Sequence, residues 1–237
     1  MAFDPSEFVV EEPKSIPVLL LLDISYSMSG DNIDILNKAV EAMIKSFKKA
    51  ETMETFIKLS IITFGGEKGI ELHTPLAEVS DIEFQPLFAD GVTPMARALE
   101  MAKAMIEDKD IFKGRDYKPT IVLLSDGVPT DDGGRVSDNW EKPLENFVNS
   151  GRTKKCDRMA LAVGSGADTK VLNMFIEGCE NPLFYAEDAE KIIDEFKKIT
   201  MSVTQRTKSV NKNQTINVKE TLDSGDINLD DLDSFDI

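Results

Sequence analysis

Ile16-Pro-Val-Leu-Leu-Leu-Leu-Asp-Ile-Ser-Tyr-Ser27 is the stretch from which the rest can be read. A short unbroken apolar run, Ile16 to Leu22, stops abruptly at Asp23. Such a run fits a central strand covered on both faces, because a half-solvated strand would alternate apolar and polar residues. Polar chemistry therefore begins where the strand ends. Beyond it, Ile33, Leu36, Val40, Met43, Ile44 and Phe47 recur at spacings of three and four, the stripe of an amphipathic helix running from Asp31 to about Glu51.

The same grammar repeats down the chain. Phe56 to Phe64 reads as a second strand, Gly65-Gly66 as a turn, and Gly69 to Val79 as an antiparallel hairpin partner at a sheet edge. Thr93-Pro94 reads as a hydroxyl cap and first helical proline for a helix buried through Met95, Leu99, Ala102 and Ile106. Thr120 to Leu124 is a second buried strand closing on an acid, Asp126, with Gly127 after it. A helix from about Ser137 to Asn149, a strand Arg158–Val163, a short helix Asp168–Glu177, a short strand Leu183–Tyr185 and a last helix buried through Val203 complete the series. Alternating strands and helices predict an α/β fold: a doubly wound, mostly parallel sheet with one antiparallel edge strand and helices on both faces. Ligands of such sheets bind beyond the carboxyl ends of the strands.

Three segments follow: an N-terminal extension (1–15), one domain (16–203), and an acidic tail (204–237) whose polar composition predicts disorder. From Val218 to Ile237 the tail carries a net charge of −6, with Leu222, Ile227, Leu229, Leu232, Phe235 and Ile237 set between acids. Leu229-Asp230-Asp231-Leu232-Asp233-Ser234-Phe235 reads as a candidate linear motif, able to enter an apolar groove or offer a carboxylate to a metal, including on a second copy of the chain. Against it stands the plainer reading of a solubilising extension.

The chain of 237 residues has a net charge of −16 and no dense Lys/Arg run, which argues against nucleic acid and anionic membrane as partners. Cys156 and Cys179 are too few for a disulfide framework, and one histidine, His73, excludes chemistry built on a histidine pair. The acidic start, Met1 to Lys14, has no basic region ahead of an apolar stretch, so the expectation is a cytoplasmic protein.

Asp23, Ser25 and Ser27, Thr93, and Asp126 fall at or just beyond the predicted carboxyl ends of the sheet. Two carboxylates and three hydroxyls, with no thiolate or imidazole, suit a hard dication: Mg²⁺ by default, Mn²⁺ or Ca²⁺ as alternatives. In Asp-x-Ser-x-Ser an extended turn aims alternate side chains at one point, so Ile24 and Tyr26 should face packing. An ion held by only two acids keeps electrophilic character, and a partner's Asp or Glu could complete its shell. An enzyme acting on a phosphate ester, hydrolase or phosphotransferase, could use the same acids. It would want a second acid two residues after the first, where Ser25 stands. No catalytic residue is assigned. Asp131-Asp132 reads as a solvated loop, Gly164 to Gly166 as a tight strand-to-helix turn. Trp140 is either a binding-surface aromatic or an anchor for its helix.

These residues resemble the von Willebrand factor A domain family and its metal-ion-dependent adhesion site (MIDAS), over about residues 16 to 203. Asp23, Ser25 and Ser27 match the first motif, Thr93 the isolated threonine, Asp126 the second aspartate. The resemblance implies a Rossmann-like fold and direct ligation by the serines. It implies ligation by Thr93 directly or through water, and aspartates acting largely through water. Ser-Asp-Gly-Val-Pro-Thr-Asp at 125–131 and Ala-Val-Gly-Ser-Gly-Ala-Asp at 162–168 look like the bacterial tellurite-resistance, TerY-like branch. That implies scaffolding or regulation in a stress response alongside a kinase or phosphatase.

Overall fold

The computed structural model describes residues 13–217. The tail residues Leu229, Asp230, Asp231, Leu232 and Phe235, and the extension up to residue 12, lie outside the described residues.

The apolar run becomes β1 (Lys14–Ile24), the strand around which the sheet is built. α1 (Asp31–Ala50) crosses to β2 (Thr55–Gly65), and β3 (Ile70–Glu78) returns antiparallel to it. α2 (Met95–Glu107) leads to β4 (Thr120–Ser125), and α3 (Glu141–Asn149) to β5 (Asp157–Val163). α4 (Thr169–Ile176), β6 (Phe184–Ala186) and α5 (Ala189–Lys208) follow. The six-stranded sheet has the order β3-β2-β1-β4-β5-β6, parallel except for β3. Chain order reverses between β1 and β4: the strands to one side of that line come before α2, those to the other after it. This is the topological switch point at which open α/β sheets bind their ligands.

β1 is apolar on both faces because both are covered. Ile16, Val18, Leu20 and Leu22 pack with α1 and α5, whereas Leu19 and Leu21 pack with α2, α3 and α4. All six are fully buried, and each large aliphatic side chain taken out of water contributes about 2 kcal/mol. Pro17, which lacks an N–H, sits where β1 has β2 as neighbour and pairing with β4 has not begun; that pairing starts at Val18.

Most element ends fall within four residues of the sequence reading, with two physical departures. Thr93 makes no cap: α2 starts at Met95, Pro94 occupies the capping position, and no side chain caps it. α5 continues through the boundary expected at 203 to Lys208. Arg206, wholly buried, donates from Nε to the Lys212 carbonyl (2.9 Å), from Nη1 to Thr120 Oγ1 (2.7 Å) and from Nη2 to the Lys118 carbonyl (2.6 Å). Lys118 in turn donates from its backbone N to Asn213 Oδ1 and from Nζ to Thr215 Oγ1. Residues 209–217 are thereby held against the amino ends of β4 and β5, the end of the sheet opposite the switch point.

Candidate metal centre

The register β1–β4 pairs Leu22 with Leu124, so Asp23 and Ser125 come next to each other as the two strands end. Ser125 Oγ donates to Asp23 Oδ2 at 2.6 Å, and the Ser25 backbone N–H donates to Asp23 Oδ1 at 2.9 Å. Both carboxylate oxygens of a completely buried side chain are thus held in place. The chain then makes a single 3-10 turn, Tyr26–Met28, which brings Ser27 over the site. Ser25 Oγ and Ser27 Oγ lie 3.1 Å apart, and Ser27 Oγ donates to Asp126 Oδ1 at 2.8 Å.

Thr93 arrives from the loop before α2. It is pinned from the β4 side, because its N–H donates to Thr130 Oγ1 (3.0 Å) and its carbonyl accepts from the Thr130 N–H (2.9 Å). Gly127, directly after Asp126, marks where these groups converge. A Cβ built there would lie 3.7 Å from Thr93 Oγ1 and 3.9 Å from Ser27 Oγ, so any longer side chain would enter the space the hydroxyls surround. Asp23, Ser25, Ser27, Thr93 and Asp126 are therefore brought to one place.

The electrostatics carry a deficit of positive charge. Burial, and secondarily the neighbouring Asp126 charge, push the Asp23 carboxyl up to about 7 despite hydrogen bonds from Ser125 and Ser25. Burial also raises Asp126, against the Ser27 hydrogen bond. Among the described residues no cation figures in the groups acting on either carboxyl. The donor set fits a dication on two counts. It supplies hard oxygens and nothing else. Its oxygen–oxygen separations also resemble the edge of about 3.0 Å that two neighbouring ligands span around Mg²⁺ at about 2.1 Å. Among the described residues no cluster of three or more His, Cys, Asp or Glu offers an alternative centre.

Several residues that build the site were not singled out from sequence. Ser125 is one, legible only as part of Ser-Asp-Gly. Thr130, which pins Thr93, is another, and the rest are glycines that let three loops interlock. Gly65, opposite Ile24 in the sheet, has φ +107°, and a Cβ there would come within 2.5 Å of the Ser25 N. The Asp90 N–H donates to the Ile24 carbonyl (2.9 Å) and the Tyr26 N–H to the Gly91 carbonyl (3.1 Å), while the Gly66 N–H bonds the Asp90 carbonyl. The 86–91 segment thus braces the Ser25–Ser27 turn from outside.

Tyr26 departs from expectation. Ile24 is buried, but Tyr26 is 72 % exposed, because the 3-10 turn rotates it out of the alternation an extended strand would keep. Trp140 is buried beneath α3 with Lys170 Nζ 5.8 Å from its ring centre, so it serves its own helix. Asp131 Oδ1 accepts from the Gly133 and Arg135 N–H groups, closing its loop. Asp168 caps α4 through the Lys170 and Val171 N–H groups, and its own N–H donates to the Gly127 carbonyl. His73 lies on β3 against Phe84 and bonded to Thr74 Oγ1. Burial pushes the Cys156 thiol up to about 12 and raises Cys179, so neither is a nucleophile at neutral pH.

Residues 18–128 match the family model described as von Willebrand factor type A domain. No curated protein matches the chain in sequence. Among solved structures, a von Willebrand factor type A protein from Catenulispora acidiphila superposes with a TM-score of 0.60 at 14 % identity, over 80 % of this chain and 42 % of that one. Proximal thread matrix protein 1 from the mussel byssus, with a zinc-occupied MIDAS motif, gives 0.56 at 16 % identity over 79 % and 45 %. The pilus adhesin SpaC from Lactobacillus rhamnosus GG, in its open conformation, gives 0.64 at 15 % identity over 82 % and 30 %. The chain spans less than half the length of each of these proteins. With its β1–β4 switch point, single antiparallel edge strand and matching residues 18–128, the domain described here has the Rossmann-like fold of von Willebrand factor type A domains, which commonly serve as metal-dependent protein-interaction modules.

Proposed function

We propose that this chain binds protein partners through a dication, Mg²⁺ by default, held by Asp23, Ser25, Ser27, Thr93 and Asp126 and completed by an aspartate or glutamate of the partner. The observation that carries the reading is the convergence of two carboxylates and three hydroxyls at the switch point with no cation among the described residues to balance them. When bound, the ion supplies that balance, and with only two acids around it retains attraction for a further carboxylate. The chain's own residues do the positioning. Ser125 fixes Asp23, Thr130 fixes Thr93, and the 86–91 segment fixes the serine turn. The zinc held by the mussel protein's MIDAS motif supports occupation by a divalent ion. It leaves the choice among Mg²⁺, Mn²⁺, Ca²⁺ and Zn²⁺ to measurement.

The finer assignment rests on the sequence stretches 125–131 and 162–168. On that reading the chain is a cytoplasmic, TerY-like scaffold or regulator in a bacterial tellurite-resistance or stress-response system, with a kinase or phosphatase among its partners. In the same reading it is no enzyme, and residues 229–235 of a second copy are one source of the completing acid. Among the described residues no helix is long and apolar enough to cross a membrane.

Titration calorimetry of Mg²⁺ and Mn²⁺ into wild type and Asp126→Ala tests the centre. Heat of binding in wild type alone is expected. Equal heats in both proteins, or none in wild type, would sink the proposal.

A further inference from the structure

Beside the metal centre lies an open cavity of about 480 Å³, between the β2–β3 turn and the 86–90 segment. The two sites share a wall. Ile24, which lines the cavity, stands between Asp23 and Ser25, and the Asp90 N–H that bonds the Ile24 carbonyl belongs to another lining residue. The cavity thus adjoins the turn that carries Ser25 and Ser27.

The lining has two characters. One part is apolar: Ile24, Pro86 and Phe88, the last 79 % exposed. The other is charged and predominantly negative. Glu67, Glu71 and Asp90 line it against a single lysine, Lys68, whose Nζ is 2.6 Å from Glu71 Oε1. Glu67 and Asp90 have no ion pair among the described residues. His73, the remaining titratable group, has its pKa lowered, first by burial.

A long apolar stem ending in a cation satisfies both parts, because lysine and arginine bury their methylenes while keeping the charge at a polar rim. Resting on the metal reading above, we propose that the partner carboxylate at the ion is accompanied by a lysine or arginine whose stem lies against Phe88, Pro86 and Ile24 and whose cation faces Glu67, Glu71 and Asp90. The surface thus recognises an acid and a base together. It disfavours the chain's own residues 220–237, which contain acids and no base, as occupants of this cavity.

The test uses the full chain and synthetic fluorescent peptides, with end groups blocked, as probes. A parent peptide carries one Asp in a Gly/Ser background. Its derivatives add Lys, Arg, Leu or Glu at each flanking position, and anisotropy is read with Mg²⁺ and with chelator. At one spacing, the basic derivative is expected to bind about two- to fivefold more tightly than the parent, the range of an exposed charge pair. That gain should vanish in Glu67→Gln/Glu71→Gln, and the Glu derivative should bind more weakly than the parent. Unchanged Mg²⁺ heats and urea midpoint in the double variant show that fold and metal centre are intact. If the parent binds with Mg²⁺ but no basic position improves it, the cavity proposal falls and the metal reading stands. The same holds if Leu improves binding more than Lys or Arg, or if the gain survives the double variant. No peptide binding in Mg²⁺ overturns both.

Discussion

Replacing Asp23 by asparagine separates the cost of the buried charge from its use. The carboxyl is wholly buried and its pKa is raised from 3.8 to about 7, chiefly by desolvation. The sign follows from linkage. A carboxyl whose folded pKa exceeds its unfolded value contributes stability fully present below the unfolded pKa and lost as pH rises through the folded one. In metal-free wild type this loss runs from about pH 4 to about pH 7 and amounts to roughly 4 kcal/mol, at about 1.4 kcal/mol per unit. Asparagine avoids it while keeping an oxygen for the Ser25 N–H, and its amide can donate to Ser125 Oγ in place of the bond that hydroxyl now donates. Urea unfolding in chelator should therefore find Asp23→Asn gaining on wild type by about 3 kcal/mol between about pH 5 and about pH 8. Millimolar Mg²⁺ should reverse the order by stabilising wild type alone, according to RT ln(1 + [L]/Kd). A stability difference that stays flat with pH, or Mg²⁺ stabilisation of the variant equal to that of wild type, would refute the reasoning.

Gly65→Ala forces a side chain into a left-handed backbone (φ +107°) and against the Ser25 N at 2.5 Å. It should cost at least about 2 kcal/mol in urea unfolding and weaken Mg²⁺ binding, since the clash displaces the serine turn. Arg206→Met strands the Thr120 hydroxyl and the Lys118 and Lys212 carbonyls and leaves the buried Asp157 with Lys118 but not Arg206 as a nearby cation. A loss of about 3–5 kcal/mol is expected, with Mg²⁺ heats unchanged because the cluster is at the far end of the sheet.

The architecture was legible where local sequence carries the constraint. A strand covered on both faces must be apolar throughout, so Ile16–Leu22 declared itself, and the three-four spacing from Ile33 to Phe47 gave α1. The candidate ligands were legible because Asp-x-Ser-x-Ser and Ser-Asp-Gly each directly follow such a strand. The supporting roles of Ser125, Thr130, Gly65 and Gly91 were hidden, since each acts on residues distant in the chain. Ser125 and Asp23 are separated by 102 positions.

Taken alone, the sequence determined that strands and helices alternate and that oxygen donors cluster at strand ends, because burial on two faces and helical periodicity are properties of neighbouring residues. Which strands lie side by side, that Tyr26 turns outward, that α5 runs on to Lys208, and that an acidic cavity adjoins the candidate metal centre were decided by tertiary structure. Arg206 reaches its partners Thr120 and Lys118 across 86 and 88 positions, and the cavity exists because the β2–β3 turn meets the 86–90 segment. Hydrogen bonds and charges between segments so far apart follow from packing, which no local window of sequence contains.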